Sequence, residues 1–315
     1  MVEDLIPRLV YFEPKLDSTS EVKVLSLQSF VSGGGPGGRV LLDRYRTGFK
    51  GLLLQPVGVD SVLLVGPGTK VRIKEPSQRF CLWHTGDIAE KDNPLSRKYC
   101  VETVVTPQGF CPKHRNTLRA IYTLCFTLGG SGSLEYCRQL DKALAGEGRY
   151  SVYATVLHGK VKVGSTRSWR YVERLSEQPH SVSTVLAETT SSYEARSLEL
   201  RLGRISGLTE HLKFEFRKIL EEDLARDVNV LVNKLRKLSQ HGFALEVGKL
   251  VKVDADDPTI LRAVSERRVS ELSDKTLELV SYYSGYLIFH DPADSAYVAV
   301  RANQLLHGDS IVVLS

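Results

Sequence analysis

Between residues 149 and 204 the spacing of apolar positions changes period repeatedly, and the changes predict strand, strand, helix, strand, helix. Tyr150, Val152, Ala154 and Val156 alternate with Ser151, Tyr153 and Thr155, so the first strand has one core face and one polar face. His158-Gly159 supplies a turn, and Val161 and Val163 give the second strand its apolar side. Trp169, Val172 and Leu175 suit a short helix, residues 181–187 a third strand, and residues 192–202 a second helix.

The flanks read differently. Up to about residue 75 the chain is short strands between glycine turns, at 22–25, 39–42, 62–65 and 70–73. The glycine-rich run 32–38 leads into apolar Val40-Leu41-Leu42, without the Gly-Lys-Ser/Thr and helix of a phosphate loop, so it predicts a hairpin loop; Gly66-Pro67-Gly68 is likewise a turn. Leu118, Ile121, Tyr122 and Cys125 recur at helical spacing over 116–128, and a glycine-rich break at 129–133 ends that helix. A long amphipathic helix is predicted over 209–240, with Leu212, Phe216, Ile219, Leu220 and Leu224 on its buried side. After Gly242 the pattern predicts strands around 250–253, 286–289 and 310–313, with one helix around 259–268.

The expected organisation is α+β. A β-rich region (1–76) and a cysteine-bearing segment with its helix (77–145) precede the ββαβα core (146–206). A helical segment (207–242) and a mostly β domain (243–315) follow.

Composition narrows the possibilities. With 315 residues, 42% hydrophobic and 25% charged, the chain is expected to bury real cores rather than remain disordered. A formal charge of +5 is compatible with a polyanionic partner. No apolar run approaches the length of a membrane span, and the acidic start lacks a signal-peptide pattern, so a cytoplasmic protein without membrane contact is the expectation. A single methionine is a weak thermophile-like trait.

Five cysteines in such a chain suggest metal or thiol chemistry before disulfides. Cys111-Pro112-Lys113-His114 has the spacing of a metal knuckle, Cys81 and His84 repeat it, and Cys100 lies between. Five candidates compete for the four places of a closed structural zinc site. Cys81, Cys100, Cys111 and His114 are favoured, with His84 as the substitute if Cys100 packs in the core. Cys125 lies on the apolar stripe of its helix and is expected to be a buried free thiol; a disulfide with Cys137 or a second incomplete metal site are the alternatives.

The knuckle stands ahead of Ser151-Val152-Tyr153 and Lys162-Val163-Gly164-Ser165-Thr166-Arg167. On these motifs the chain resembles the GIY-YIG nuclease superfamily. More narrowly, it resembles an uncharacterised archaeal and bacterial family that couples a Cys/His zinc knuckle to a divergent core. The resemblance covers roughly residues 65–205. It implies a hairpin carrying Tyr153 and, in place of the second tyrosine, Lys162; an arginine on the next helix, Arg174; and a metal-binding glutamate on the last helix, Glu199, with Glu194 and then Glu188 as alternatives. Serine replaces the first motif's glycine, and lysine cannot act as the missing phenol, so Tyr150 or a metal-bound hydroxide would have to replace it.

The chemistry fits these residue types. Phosphodiester cleavage needs an activated water and charge neutralisation at phosphorus; a glutamate can hold magnesium or manganese, and an arginine fork suits phosphate oxygens. The expected function is a nucleic-acid-binding protein with a divergent GIY-YIG-like core, acting as a magnesium-dependent endonuclease on DNA or RNA with Tyr153, Lys162, Arg174 and Glu199 as its site. The alternative is a catalytically inactive, zinc-containing protein that binds DNA, RNA or a ribonucleoprotein. Lys160, Lys162, Arg167, Arg170 and Arg174 would contact phosphates, and the C-terminal region is the candidate surface for a protein or ribonucleoprotein partner.

Overall fold

The structure is a computed structural model that describes residues 4–23, 39–205, 208–209, 215–221, 223–240, 243 and 249–314. The glycine-rich run 32–38 and Leu212 lie outside the described residues. The protein is α+β, with two open sheets in two compact units, and each unit is assembled from segments distant in sequence.

One unit comprises Met1–Glu13, Thr47–Leu124 and Ala255–Ser315. Its nine-stranded sheet runs Val264–Glu266, Ala296–Arg301, Tyr286–Asp291, Thr276–Tyr283, Lys70–Ile73, Ile311–Val313, Leu5–Phe12, Phe49–Pro56, Leu63–Val65. The last strand of the chain therefore fits between two early ones, with Ile311 opposite both Leu5 and Ile73. Alternation selects the core: in Lys70–Ile73 the two lysine-side positions are exposed while Val71 and Ile73 join Leu52, Leu54, Leu277, Leu287 and Phe289 inside.

The second unit comprises Pro14–Arg46 and Cys125–Asp254. Its seven-stranded sheet runs Leu208–Thr209, Lys160–Arg167, Tyr150–Leu157, Val182–Thr189, Leu250–Asp254, Arg39–Arg46, Lys15–Lys23. The strand, strand, helix, strand, helix order expected for 149–204 is present as Tyr150–Leu157, Lys160–Arg167, Tyr171–Ser176 (entered through a 3-10 turn, Ser168–Arg170), Val182–Thr189 and Ser192–Gly203. Tyr150, Val152, Ala154 and Val156 pack with Val161 and Val163 against residues of the helices Ser192–Gly203 and Leu224–Gln240. The other face carries Tyr153, which packs with Tyr171, Leu175, Val251 and Val253.

The hairpin's position is fixed at its tip. His158 and Gly159 both have positive φ (50° and 74°), as a two-residue turn requires. Their N–H groups donate to the Asp227 carboxylate at 3.0 and 2.7 Å, and the Ser181 hydroxyl donates to it as well. A buried carboxylate on the long helix thus holds the turn that sets the strand register.

Several expectations need correction. The predicted helix over 209–240 is two helices, Phe216–Leu220 and Leu224–Gln240. Asp223 starts the second by accepting the Arg226 N–H at 3.0 Å, and Thr209 belongs to a strand opposite Lys162. The helix around 259–268 is only Pro258–Leu261, because Val264–Glu266 instead pairs in parallel with Ala296–Arg301. The strands Thr276–Tyr283 and Ala296–Arg301 and the helix Ser133–Leu144 were not anticipated. The last buries only Ser133, Cys137 and Leu140, too few apolar positions to announce itself.

Cys125 is not a free thiol: it is disulfide-bonded to Cys137 across a short loop, while Cys81, Cys100 and Cys111 are free. Alkylation of denatured, metal-stripped, unreduced protein is therefore expected to label three cysteines, the other two reacting only after reduction. Cys137→Ser should lower unfolding stability by about 2–3 kcal/mol, the scale for a loop of this length, read by thermal denaturation. Labelling of all five without reductant would exclude the bond.

Candidate functional site

The first candidate site is a metal centre in the nine-stranded unit. Cys81, Cys100, Cys111 and His114 bring their ligand atoms within 4.8 Å of one another, the three cysteines buried and His114 half-buried. The Cys111 Sγ lies 3.9 Å from Cys100 Sγ and 3.3 Å from His114 Nδ1, and Cys81 Sγ is 3.7 Å from His114 Nδ1. A tetrahedron with metal–sulfur bonds of about 2.3 Å has sulfur–sulfur edges of roughly 3.8 Å, so the spacing suits four ligands around one ion and is far too wide for a disulfide.

Local backbone makes this possible. His114 N–H and Arg115 N–H both donate to Cys111 O, at 2.9 and 3.0 Å, closing the turn that brings the knuckle ligands together. The Cys111 N–H also points at Cys81 Sγ, 3.4 Å away. Trp83 stacks flat on the His114 ring at 4.1 Å and orients it.

Behind the ligands lies Arg8, from the strand Leu5–Phe12, almost wholly buried. It donates to Cys81 O at 3.0 Å, Cys100 O at 2.6 Å and Gln55 Oε1 at 2.5 Å, and its guanidinium sits over the Phe80 and Tyr99 rings. One arginine therefore ties two ligand-bearing segments together. Burial lowers its pKa to about 10. Nothing local in the sequence marks Arg8 for this role.

Burial raises the Cys81 pKa; for Cys100, burial followed by the neighbouring Cys81 and Cys111 pushes it to about 12. Cys81 and Cys100 therefore resist ionising alone, and a bound cation reverses that preference. His84 is not part of the cluster. Its Nδ1 accepts the Gly86 N–H at 3.0 Å, its ring leans on Tyr99, and burial with Arg119 and Arg97 drives its pKa far down. Cys100 takes the place for which His84 was the substitute.

The second candidate site lies on the hairpin of the other unit. Tyr153 stands opposite Gly164 in the register. A Cβ built on Gly164 would lie 2.7 Å from both Cζ and the hydroxyl oxygen of Tyr153, so the phenol ring lies across the glycine. This is why tyrosine and glycine belong to one signature: the ring needs a bare backbone beneath it.

Around the phenol the groups connect. Lys162 Nζ donates to Gln178 Oε1 at 2.6 Å, and Gln178 Nε2 donates to the Tyr153 oxygen at 3.2 Å. Tyr171 closes the other side at 5.5 Å between ring centres. Arg174 and Arg170 both reach Glu177, at 2.6 and 2.8 Å, and Arg174 keeps 42% of its side chain exposed. Burial, then Arg174, lower the Lys162 pKa to about 8, with Glu199 and Glu177 opposing. Burial raises the Tyr153 pKa against the pull of Arg174 and Gln178. Burial works against the Arg174 charge, but Glu177 and Tyr153 outweigh it and its pKa is raised.

Glu199 lies apart from that trio. Strand alternation puts Ser165 on the opposite face from Lys162 and Gly164, and the Ser165 hydroxyl donates to Glu199. Arg196, one turn earlier on the helix, forms an ion pair with Glu199 at 2.6 Å, both side chains being nearly inaccessible. Its charge still bears on Tyr153 and Lys162. Among the alternatives, Glu194 takes the Thr189 hydroxyl and Glu188 the Ser151 hydroxyl.

Of the basic residues expected to meet phosphate, Lys160 is exposed at the hairpin tip, while Arg170 and Arg174 share Glu177. Arg167 is not a surface contact: it is 1% exposed and stacks over Tyr150, on the face away from Lys162. His180 is buried, its Nδ1 against Gln178 O at 3.0 Å and its Nε2 accepting the Val253 N–H at 3.1 Å. It holds the Gln178 loop rather than facing outward. Gln178, bridging lysine and phenol, went unremarked in the sequence because a loop glutamine carries no pattern.

No protein-family model, curated protein or solved structure matches this chain. Among the described residues no helix is long and apolar enough to cross a membrane.

Gly164→Ala is expected to destabilise the protein by about 1–3 kcal/mol, the cost of overpacking, and to displace the Tyr153 ring. Denaturant unfolding measures the first and the tyrosine ring resonances the second. Unchanged stability and spectra would mean that the ring does not lie across the glycine.

Proposed function

We propose that this is a nucleic-acid-binding protein with a divergent GIY-YIG-like core that grips phosphate groups, and that its Cys/His cluster holds a structural zinc ion. The observation that carries the first part is the split between the faces of the hairpin. Lys162 and Arg174 gather beside Tyr153, with Arg174 partly open to solvent, whereas Glu199, the first-choice glutamate for a catalytic ion, is paired with Arg196 and the Ser165 hydroxyl. Cations without a free carboxylate favour binding over hydrolysis. DNA or RNA would be held chiefly through its backbone, with little sequence preference.

Zinc is favoured for the cluster because three sulfurs and one imidazole in a closed tetrahedral spacing suit its borderline softness, with no position left open for substrate. Cys81, Cys100, Cys111 and His114 would be its ligands, and its contribution would be to folding. Elemental analysis is expected to find about one zinc per chain, lost in Cys111→Ser. Metal-free protein of undiminished stability would contradict a structural role.

A second reading, magnesium- or manganese-dependent cleavage, has one observation in its favour: the Lys162 pKa of about 8 lets that amine trade a proton near neutral pH beside the phenol. Glu199 would then have to leave Arg196 to hold the ion.

Fluorescence titration with single- and double-stranded DNA and RNA, over a range of salt, tests the binding. Affinity should fall steeply with salt, and Arg174→Ala should weaken it and reduce the log–log salt slope by about one. The Lys162 pKa sets the sign of the pH effect. The amine is charged below about pH 8 and neutral above it, so affinity should weaken as pH rises from 7 to 9. That pH response should be lost in Lys162→Met. Salt-insensitive or absent binding would refute the proposal. Metal-dependent cleavage abolished by Glu199→Ala would establish the second reading.

A further inference from the structure

We infer that Arg167 forms a buried binding site for a small oxyanion, separate from the Lys162–Arg174 face. Arg167 ends the strand Lys160–Arg167 and is 1% exposed, and its Nε and Nη2 are both buried with no hydrogen-bond partner among the described residues. Those two nitrogens are not an arbitrary pair. The Nε–H and the Nη2–H lie on the same edge of the planar guanidinium and point the same way, which is the fork that accepts two oxygens of a carboxylate or phosphate in parallel.

The rest of the group is fixed. Its carbon sits 4.6 Å from the centre of the Tyr150 ring, the cross-strand neighbour of Arg167, and Phe126 stacks on Tyr150 in turn. The aromatic surface holds the guanidinium plane but cannot accept in-plane hydrogen bonds. The helix Ser192–Gly203, which packs on this side of the sheet, does not supply the acceptor. Its two carboxylates are engaged elsewhere, Glu199 with Arg196 and Ser165, and Glu194 with Thr189. Arg196 shows what a satisfied buried arginine looks like in this unit: besides Glu199 it reaches Ser133 Oγ and Leu128 O, each at 3.1 Å. Leaving a desolvated cation's donors unmet is among the costliest arrangements in a protein, so an oxyanion on this edge is the complement the geometry calls for.

The two nitrogens are shielded from solvent, so an anion would have to enter by way of the sheet's margin. Beside Lys160–Arg167, the strand Leu208–Thr209 pairs only with Val161 and Lys162, so the half of the strand that ends in Arg167 has no further strand partner among the described residues. The fork recognises a two-oxygen group and does not by itself separate phosphate from carboxylate. Inorganic phosphate and acetate are therefore the two probes, with chloride at matched ionic strength as reference.

Calorimetric titration and thermal unfolding of the full-length protein test the assignment. At least one probe should bind saturably, at about one site per chain, and raise the melting temperature beyond chloride. Arg167→Lys, which keeps the charge but loses the fork, should weaken that binding at least about tenfold. The exposed variant Arg217→Gln should behave like wild type. Saturable binding of phosphate alone identifies a phosphate group, and of acetate alone a carboxylate; either supports the site. Because Lys162 and Arg174 also attract anions, Arg174→Ala must retain the response. Arg167→Gln need not fold, so Arg167→Lys, with phosphorus NMR line broadening as a second readout, carries the decision. The inference is overturned if neither probe exceeds chloride, if Arg167→Lys responds like wild type, or if Arg174→Ala abolishes the effect.

Discussion

The hairpin core depends on one contact, the Tyr153 ring lying across Gly164. Opposite residues in an antiparallel pair put their Cβ atoms only about 5 Å apart, so a large ring can cross its neighbour only where that neighbour has no side chain. The register that makes them opposite is set at the turn, where Asp227 takes the His158 and Gly159 N–H groups. A slip of one residue would send the Tyr153 ring into the face now filled by Val152 and put Val152 where the ring packs on Tyr171 and Leu175. From this register follow the reach of Lys162 to Gln178, of Gln178 to the phenol, and of Ser165, on the opposite face, to Glu199.

The two faces divide the chemistry. On one, burial and the charge of Arg174 tune a lysine and a phenol, and Arg174 itself is partly open to solvent. On the other, a carboxylate and two guanidiniums are buried, one guanidinium paired and one with an edge that meets no hydrogen-bond partner among the described residues. Position along the strand does not separate these groups. Parity does. The metal cluster, in the other unit, follows a different logic: short turns bring the ligands together, and Arg8 locks their backbones from behind.

Much of the core was legible because its signals are local. The alternation of Tyr150 through Leu157, the His158-Gly159 turn and the helical spacing after Ser192 each fix an element within a few residues, and the knuckle spacing at Cys111 and His114 fixes a turn. What sequence could not carry was long-range. Ile311 pairs with Leu5, Val264–Glu266 chooses a strand partner over a helix, and Cys125 finds Cys137 through a helix with few apolar positions. The pairing of Glu199 with Arg196 was also hidden, since an i, i+3 pair is usually a solvated surface feature and here it is buried.

Ultraviolet cross-linking of bound nucleic acid, followed by peptide mass spectrometry, tests the central claim most directly, because it reports which surface touches the ligand whether or not the strand is cut. Adducts should concentrate in peptides that carry the Lys160–Arg167 strand and the Tyr171–Ser176 helix and should diminish with rising salt. Adducts confined to segments away from that hairpin and helix, or none under conditions where binding is measured, would contradict the account.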